Sequence, residues 1–450
     1  MPDIADTIDI GRLSRDAQAL VETARRAGAD AADVVVASSR SSGVRVRDGV
    51  LEDTESEESD AFSLRVLVGR RAATVSAGRE GDPKRLAERA VAMARVAPEN
   101  PYAGLAPEER LAREWPELDL ADRSAPSRDE MQQMALACEE AALSTDGVTK
   151  SSGGGFGTGV SGAVLATSHG FLGSYVATRH SLSVSVIAEA DGRMEVDYDF
   201  DSARHREDLR SAEEIGREAG RRAARRTRPR VLDTRSVPVI YEPRVARGLV
   251  GHLSAAMNGA SVARGTSLFR DKMGEGVAAS GITIVDEPHV ARGPASRPFD
   301  GEGLAMSDLT MIENGVLRAF WLDTASAREL DLSPNARGTR SGATTVPVST
   351  NTTLLAGTRS VRDMMRDVGT GLLVTDMIGH GANLVTGDYS RGCSGLWFED
   401  GEVAFPVTEM TLGGNLMDMF MHMEPADDLE RGHGTNAPSV LVEGLTLAGR

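Results

Sequence analysis

Cysteine, lysine and aromatic residues are scarce in this sequence of 450 residues. The only cysteines are Cys138 and Cys393, which argues against a disulfide framework and indicates a reducing cytoplasm. Only three lysines occur, and acidic residues outnumber basic ones, so that the formal net charge is −17. Because nucleic acid binding requires a basic surface, this balance argues against DNA or RNA as a partner.

Long apolar runs are also missing. No run approaches the roughly 18 apolar residues that indicate a membrane-spanning helix. The N-terminal sequence MPDIADTIDIGRLSRD has acidic residues where a signal peptide has a basic and then an apolar segment. We therefore expect a cytoplasmic protein without a membrane partner.

Helical spacing of apolar residues predicts several helices, and two of them open with a capping box. These boxes are formed by Ser127 with Glu130 and by Ser211 with Glu214. Cys138 lies on the apolar face of the helix that starts at Ser127, so we interpret it as a core residue. The predicted helices are Ser14 to Gly28, Asp82 to Val96, from Ser127 onward, Ser211 to Arg226, Pro243 to Asn258 and Ser360 to Val368.

Short strands are predicted at Val44–Val46 and Ser63–Val68, and a strand-rich stretch at Val148–Phe200. A second strand-rich region begins at Val237–Tyr241. Three dipeptides indicate hairpin turns, namely Asp191-Gly192, Asn314-Gly315 and Asp400-Gly401. The pattern predicts an α+β protein of two domains. Residues 1–226 would combine helices with an antiparallel sheet, and residues 235–450 would form a strand-rich, barrel-like domain.

Three local patterns suggest chemistry, but each has a simpler structural interpretation. The GxGxxG match at residues 157–162 is followed by strand residues rather than a helix, which argues against a nucleotide loop. Asp197, Asp199 and Asp201 alternate as in a calcium loop, but Ser202 replaces the required glycine, so we interpret them as an exposed strand face. The arginines of 221–226 are interpreted as a solvated helix end.

The helix from Pro243 contains the most informative candidate, His252. Val245, Gly248, Leu249, His252, Leu253 and Ala256 form one stripe at helical spacing. A lone histidine on such a stripe is usually a buried, hydrogen-bonded residue, and we expect this of His252, with Leu253 in the core. The sequence contains no HExxH, paired CxxC or GxSxG motif.

Several segments of the second half resemble the TldD/PmbA family, and within it the PmbA (TldE) branch. They are GLVGHLSAAMNGASVARGTS, SRPFDGEG, ENGVLRAFWLDTASARELDL, GDYSRGCSGLW, PVTEMTLGGNL and SVLVEGLTLAG. The resemblance is dense from about residue 235 onward and looser before it. GDYSRG and PVTEMTLGGNL are its most distinctive parts.

The resemblance implies where a zinc site would lie. In the TldD branch an HExxxH motif and a later cysteine bind zinc, and the glutamate acts as general base. On this chain the first histidine falls on His252, the glutamate on Leu253, the second histidine on Met257 and the cysteine near Ala437. Leucine cannot transfer a proton and a thioether is a poor zinc ligand, so we expect no metal and no catalytic residue here. We interpret Cys393 as structural.

The family further implies a non-catalytic subunit that pairs with a TldD-like, zinc-containing metallopeptidase. The pair would degrade unfolded or short peptides and trim leader peptides. The isolated chain is a candidate homodimer. Two alternatives stay open, namely a peptidase with unrecognised metal ligands and a regulatory protein that modulates DNA gyrase. Trp321, Trp397 and Phe420 are candidate anchors for the partner, provided that at least one aromatic of the second half is exposed.

Overall fold

The computed structural model describes residues 4–78, 81–341 and 344–449. Met1, Pro2 and Asp3 belong to the N-terminal segment whose composition argues against a signal peptide, and they lie outside these residues. The predicted α+β fold is confirmed, because helices pack on extended antiparallel sheets and the C-terminal part contains a closed barrel. None of the described helices is long and apolar enough to cross a membrane.

The N-terminal part contains one antiparallel sheet in the order β3-β2-β1-β4-β5-β6. Its strands are β1 (Ala31–Arg47), β2 (Val50–Val68), β3 (Arg71–Gly78), β4 (Val148–Thr167), β5 (Leu172–Ala190) and β6 (Arg193–Ala203). The predicted turn at Asp191-Gly192 joins β5 to β6, and both residues have the positive φ that a tight hairpin needs. Strands β1 and β2 are much longer than predicted, because their polar, solvent-facing stretches also form hydrogen-bonded pairs with each other. The GxGxxG match lies inside β4, as expected.

Four helices cover one face of this sheet. They are α1 (Ile10–Arg26), α2 (Pro83–Val96), α3 (Arg128–Leu143) and α4 (Ala212–Arg225). Helices α1 and α2 pack over one half of the face, and α3 and α4 over the other. Both predicted capping boxes are present, at Ser127 and Ser211. Cys138 is fully buried beneath α3, which confirms it as a core residue.

The edge strand β6 has inverted polarity, with carboxylates inside and large apolar side chains outside. Asp197 and Asp199 are buried, so the prediction of an exposed acidic strand face is wrong for both. The exposed fractions of the alternating neighbours are 58% for Met194, 48% for Val196, 48% for Tyr198 and 40% for Phe200. Alternation in the sequence identifies two faces but does not say which one is buried.

Arginines neutralise the buried carboxylates of β6, so the predicted solvated helix end is also wrong. Arg222 contacts Asp199 at 2.8 Å, and Arg226 contacts Asp197 at 3.2 Å. Asp197 also receives both terminal nitrogens of Arg244, at 2.9 and 3.1 Å. Of the four clustered arginines only Arg221 stays largely exposed, where it pairs with Glu218.

The C-terminal part contains a closed barrel of five strands. Strand β16 pairs with β15 and also with β19, which closes the ring β16-β15-β14-β7-β19. A second sheet has the order β10-β9-β8-β13-β18, β17 extends the barrel at β19, and β11 pairs with β12. These strands are β7 (Arg235–Tyr241), β8 (Ile284–Glu287), β9 (Leu309–Glu313), β10 (Val316–Leu317), β11 (Gly338–Ser341), β12 (Thr344–Pro347), β13 (Asn351–Leu354), β14 (Gly371–Ile378), β15 (Asp388–Glu399), β16 (Glu402–Asn415), β17 (Met423–Pro425), β18 (Thr435–Asn436) and β19 (Val440–Ala448).

Short helices and turns complete the C-terminal part. Both predicted hairpin turns are present, with Asn314-Gly315 between β9 and β10 and Asp400-Gly401 between β15 and β16. The helices are α5 (Pro243–Ala256), α6 (Gly259–Ala263), α7 (Thr324–Glu329), α8 (Val361–Val368) and α9 (Leu416–Met421), and single 3₁₀ turns lie at Ala5–Thr7, Glu108–Arg110 and Arg206–Asp208.

The large aromatic residues of the C-terminal part are in its core. Trp321, Trp397 and Phe420 are all buried, so none of the three proposed partner anchors is exposed. The aromatic side chains that are exposed among the described residues, Trp115, Tyr198 and Phe200, lie in the N-terminal part. The hypothesis of an aromatic anchor in the second half is therefore wrong for the residues named.

The inverted polarity of β6 can be tested with two substitutions on opposite faces of the strand. Asp197→Ala should lower the free energy of unfolding by about 3–5 kcal/mol, because it leaves the largely buried Arg244 without its carboxylate and removes one of the carboxylates that contact Arg226. Met194→Ala, on the outward face, should cost less than about 0.5 kcal/mol. Urea unfolding of both variants measures the difference. Equal losses would contradict the orientation of the strand.

Candidate functional site

Helix α5 holds two of the four positions at which the family motif was predicted, His252 and Leu253, and a third, Met257, directly follows the helix. Leu253 and Met257 are 0% exposed, and Ala437 is 1% exposed. All three belong to one hydrophobic core with the barrel interior. Ala437 directly follows β18, against which α5 packs, so the fold brings the four positions to one region. Their correspondence to the family motif stays a prediction.

Contacts of Trp321 fix the C-terminal end of α5. The indole Nε1 donates to the carbonyl oxygen of Ser254 at 3.0 Å, and the backbone N–H of Trp321 donates to the Met257 carbonyl at 2.8 Å. The side chains of Leu253 and Met257 are thereby held inside the apolar core. At these positions the chain provides packing rather than a base or a ligand.

His252 differs in two respects from the expectation of a buried, hydrogen-bonded histidine. It is half-buried, and its ring meets the edge of Tyr389 at a centroid distance of 6.0 Å. Its Nε2 is buried without a hydrogen-bond partner in the described part of the chain, so the predicted hydrogen bond is absent at that atom. Burial and the neighbouring Arg391 lower the pKa of His252, which favours a neutral ring.

A metal cage is not formed around His252 by the described residues. Among them, no group of three or more His, Cys, Asp or Glu side chains could hold a metal ion. Cys393 is buried in the barrel, and burial raises the pKa of its thiol to about 12, which fits its structural interpretation.

A large cleft lies between β6 and the barrel, with α5 along one side. Its volume is about 780 Å³. Its walls include Tyr198 and Phe200 from β6, Thr375 and Met377 from β14, and His433 from the segment before β18. Burial, together with Arg247, lowers the pKa of His433 to about 4, so this ring is neutral near pH 7.

Arginine is the most frequent residue type in the lining of the cleft, which also contains six acidic residues, namely Asp199, Asp201, Asp208, Glu287, Asp376 and Glu430. Seven arginines line it, and they are Arg210, Arg222, Arg244, Arg247, Arg292, Arg391 and Arg431. Five of them form ion pairs with carboxylates within 4 Å. Arg247 and Arg391 have no such pair in the described residues. Sequence reasoning missed this cleft because its arginines come from segments that are distant along the chain.

A second group of titratable residues is enclosed at the junction of the N-terminal sheet and the second half. Burial raises the pKa of Asp300 to about 6, and burial together with the charge of Asp300 raises that of Glu302 to about 7. Asp300 accepts hydrogen bonds from the backbone of Glu302, Leu304 and Gly338, and Glu302 accepts two from Thr324. Because these bonds hold the loop of the SRPFDGEG segment, we interpret the pair as structural.

Comparison with known proteins identifies the family to which the chain belongs. The family model described as PmbA/TldA metallopeptidase C-terminal domain matches residues 234–449, and models of the central domain and of domain 1 match residues 121–227 and 32–94. Metalloprotease PmbA of Escherichia coli O157:H7 is 36% identical over 426 residues, which cover 94% of this chain and 93% of that protein.

The chain belongs to the PmbA/TldD family, in its PmbA branch.

Two further relatives agree with this assignment. The Metalloprotease PmbA homolog of Haemophilus influenzae is 35% identical and covers 95% of this chain, with 94% of its own length matched. A crystal structure of a putative modulator of DNA gyrase from Bacteroides thetaiotaomicron superposes with a TM-score of 0.89 at 25% identity, over 98% of this chain and all of that one. The expected family fold is therefore confirmed over almost the whole chain.

The buried pair at residues 300 and 302 predicts a pH dependence of stability. Raised pKa values mean that the folded chain binds more protons than the unfolded chain between about pH 4 and pH 7. The stabilisation from these groups is complete below their unfolded pKa values and is lost as the pH rises through the folded ones. Glu302→Gln should therefore reduce the slope with which the unfolding free energy decreases between pH 5 and pH 8, by an amount that corresponds to at most one bound proton.

Urea unfolding at several pH values measures this slope. Glu109→Gln, at an exposed carboxylate, is the matched control and should leave the slope unchanged. A slope that is the same in Glu302→Gln and in the wild type would contradict the raised pKa.

The packing of Leu253 and Met257 predicts that the isolated chain binds no stoichiometric zinc. Only the histidine of the predicted motif has a suitable side chain, and a single imidazole is a weak site. Metal analysis after purification without chelators checks this. About one zinc per chain that is lost in His252→Ala would contradict the prediction, and Cys393→Ser is the control for adventitious binding to thiols.

Proposed function

We propose that this chain is the non-catalytic subunit of a heteromeric zinc metallopeptidase of the PmbA/TldD type. The observation that carries the proposal is the burial of Leu253 and Met257, which occupy the expected positions of the general base and the second histidine. A TldD-like subunit would hold the zinc and cleave the peptide. The complex would act in the cytoplasm on unfolded or short peptides and on leader peptides.

A chain without its own chemistry contributes by binding, and strand β6 offers a surface for the partner. Met194, Val196, Tyr198 and Phe200 form an apolar stripe on its outward face. Met194 and Val196 do not line the cleft, so a short peptide in the cleft would leave them exposed. A subunit of comparable size can cover the whole stripe, and interface cores are enriched in such apolar and aromatic side chains.

The partner would cover the face of β6 rather than extend its edge. On the outer edge, the N–H groups of Tyr198 and Ser202 donate to the side chains of Asp197 and Asp201, each at 2.8 Å. The carbonyl oxygen of Phe200 accepts from Arg210 at 2.9 Å. Because these groups are occupied, addition of another strand along residues 198–202 is disfavoured. Packing of side chains on the face is therefore the arrangement that we propose.

The decisive experiment measures peptidase activity of this chain, of a TldD-like subunit from the same genome, and of their mixture. We expect activity only, or much more strongly, in the mixture. Val196→Asp should weaken the association and the stimulation, because it buries a charge in the proposed interface. Val403→Asp is the matched control, since Val403 is an equally exposed valine on strand β16.

Two outcomes would contradict the proposal, and a third would refute only the β6 surface. A TldD-like subunit that cleaves equally well alone removes the need for this chain. Full activity of this chain alone favours the first alternative, a peptidase with unrecognised ligands, which agrees with the name metalloprotease given to its relatives. Equal effects of Val196→Asp and Val403→Asp would refute the β6 surface but leave the subunit proposal intact.

The second alternative is modulation of DNA gyrase, the role for which the similar Bacteroides thetaiotaomicron protein is named. The net charge of −17 disfavours direct contact with DNA but permits contact with a protein. Affinity purification of the tagged chain separates the two possibilities. Recovery of gyrase without a TldD-like subunit would favour the regulatory function.

A further inference from the structure

Two arginines of the cleft have no counter-ion among the described residues, which is costly for groups that are partly removed from water. Arg247 is half-buried, and its Nε is buried without a hydrogen-bond partner in the same part of the chain. Arg391 is also half-buried, and its Nε donates to the Gly379 carbonyl oxygen at 3.0 Å. Neither forms an ion pair within 4 Å in residues 4–78, 81–341 and 344–449.

Both arginines flank the same turn of α5. Arg247 is on that turn, and Nη1 of Arg391 lies 3.9 Å from the position that a Cβ of Gly248 would occupy. Since glycine has no side chain, the space between Gly248 and the guanidinium group of Arg391 stays open. Among the acidic residues, Glu430 raises the pKa of Arg247 most, but its side chain is exposed and lies more than 4 Å from that of Arg247.

The other cleft arginines are compensated within the protein. Arg244 is neutralised by Asp197 and Arg431 by Glu287. His433 is neutral near pH 7 and adds no positive charge. The positive charge that remains is therefore concentrated beside α5, in a cleft whose volume is within the usual range for ligand sites, about 300–1,000 Å³.

We infer that Arg247 and Arg391 form a carboxylate-binding site that positions peptides in the cleft. Guanidinium groups bind carboxylates through strong, charge-assisted hydrogen bonds. Val245, Val290 and Met377 supply apolar walls for the side chains of a peptide. The inference rests on the proposed role in peptide handling, and the carboxylate would come from the C-terminus of the peptide or from an acidic side chain.

Fluorescence anisotropy with labelled peptides tests this site in the isolated full chain. Three five-residue apolar peptides carry a neutral fluorophore at the N-terminus. One has a free C-terminal carboxylate, one is amidated, and one is amidated and contains a single Glu. We expect the free acid to bind about tenfold more tightly than the plain amide, the gain typical of one charge-assisted contact.

Substitutions locate the effect. Arg247→Gln and Arg391→Gln should each remove most of the preference for the acid, and Arg391→Lys should retain part of it. Gly248→Leu should weaken binding of both peptides, because the new side chain fills the space beside α5 without removing charge. Arg318→Gln, at an exposed arginine paired with Glu313, is the control for net charge.

The third peptide identifies the source of the carboxylate. If the Glu-containing amide binds as tightly as the free acid, the site recognises any carboxylate, and if it binds like the plain amide, the site recognises the C-terminus. Equal binding of acid and plain amide to the wild type, or no binding of any peptide, would overturn the inference. The proposed function would then still be tested separately, by measuring whether this chain stimulates the peptidase activity of the TldD-like subunit.

Discussion

The ion pairs of Asp197 with Arg244 and of Arg226 with Asp376 connect the two halves of the molecule, and the ion pair of Asp197 with Arg226 joins them into one network. Asp197 belongs to the edge strand of the N-terminal sheet, Arg226 ends α4, and Arg244 lies in the first turn of α5. Arg226 also reaches Asp376 on the barrel strand β14 at 3.5 Å. Because buried ion pairs recover little more than their cost of desolvation, their main effect is to fix geometry. They orient β6, and with it the walls of the cleft and the apolar stripe.

Helix α5 therefore has different roles on its two sides. Toward the barrel, Leu253 and Met257 fill the core, and Trp321 holds the end of the helix. Toward the cleft, Arg244 binds the N-terminal sheet, and Arg247 has no ion-pair partner among the described residues. A catalytic glutamate at position 253 would have to ionise in this core, which its desolvation opposes. Apolar residues at these positions stabilise the helix that shapes the cleft.

Local signals in the sequence predicted much of this fold, and the tertiary arrangement of charge was not among them. The capping boxes at Ser127 and Ser211 and the Asp191-Gly192 turn were predictable because each depends on residues that are close in the chain. The orientation of β6 was not predictable, because a strand of alternating apolar and acidic residues can bury either face. The acidic face is the buried one because it contacts Arg226 and Arg244, and these contacts form only in the folded chain. The cleft was missed for the same reason, since its arginines meet only after folding.

The cleft contains arginines with and without an ion-pair partner among the described residues, and this difference indicates a function in binding. A network that served stability alone would neutralise each partly buried charge, as Asp197 and Asp199 do for the arginines around β6. Arg247, on α5, and Arg391, which lies beside Gly248 of the same helix, depart from this pattern. Leu253 and Met257, at the expected positions of the zinc motif, are core residues near the end of that helix. Chemistry and recognition can thus be separated within one fold. In the proposed subunit, replacement of the expected metal ligands would remove cleavage, whereas the charged cleft beside α5 would still hold the carboxylate of a substrate.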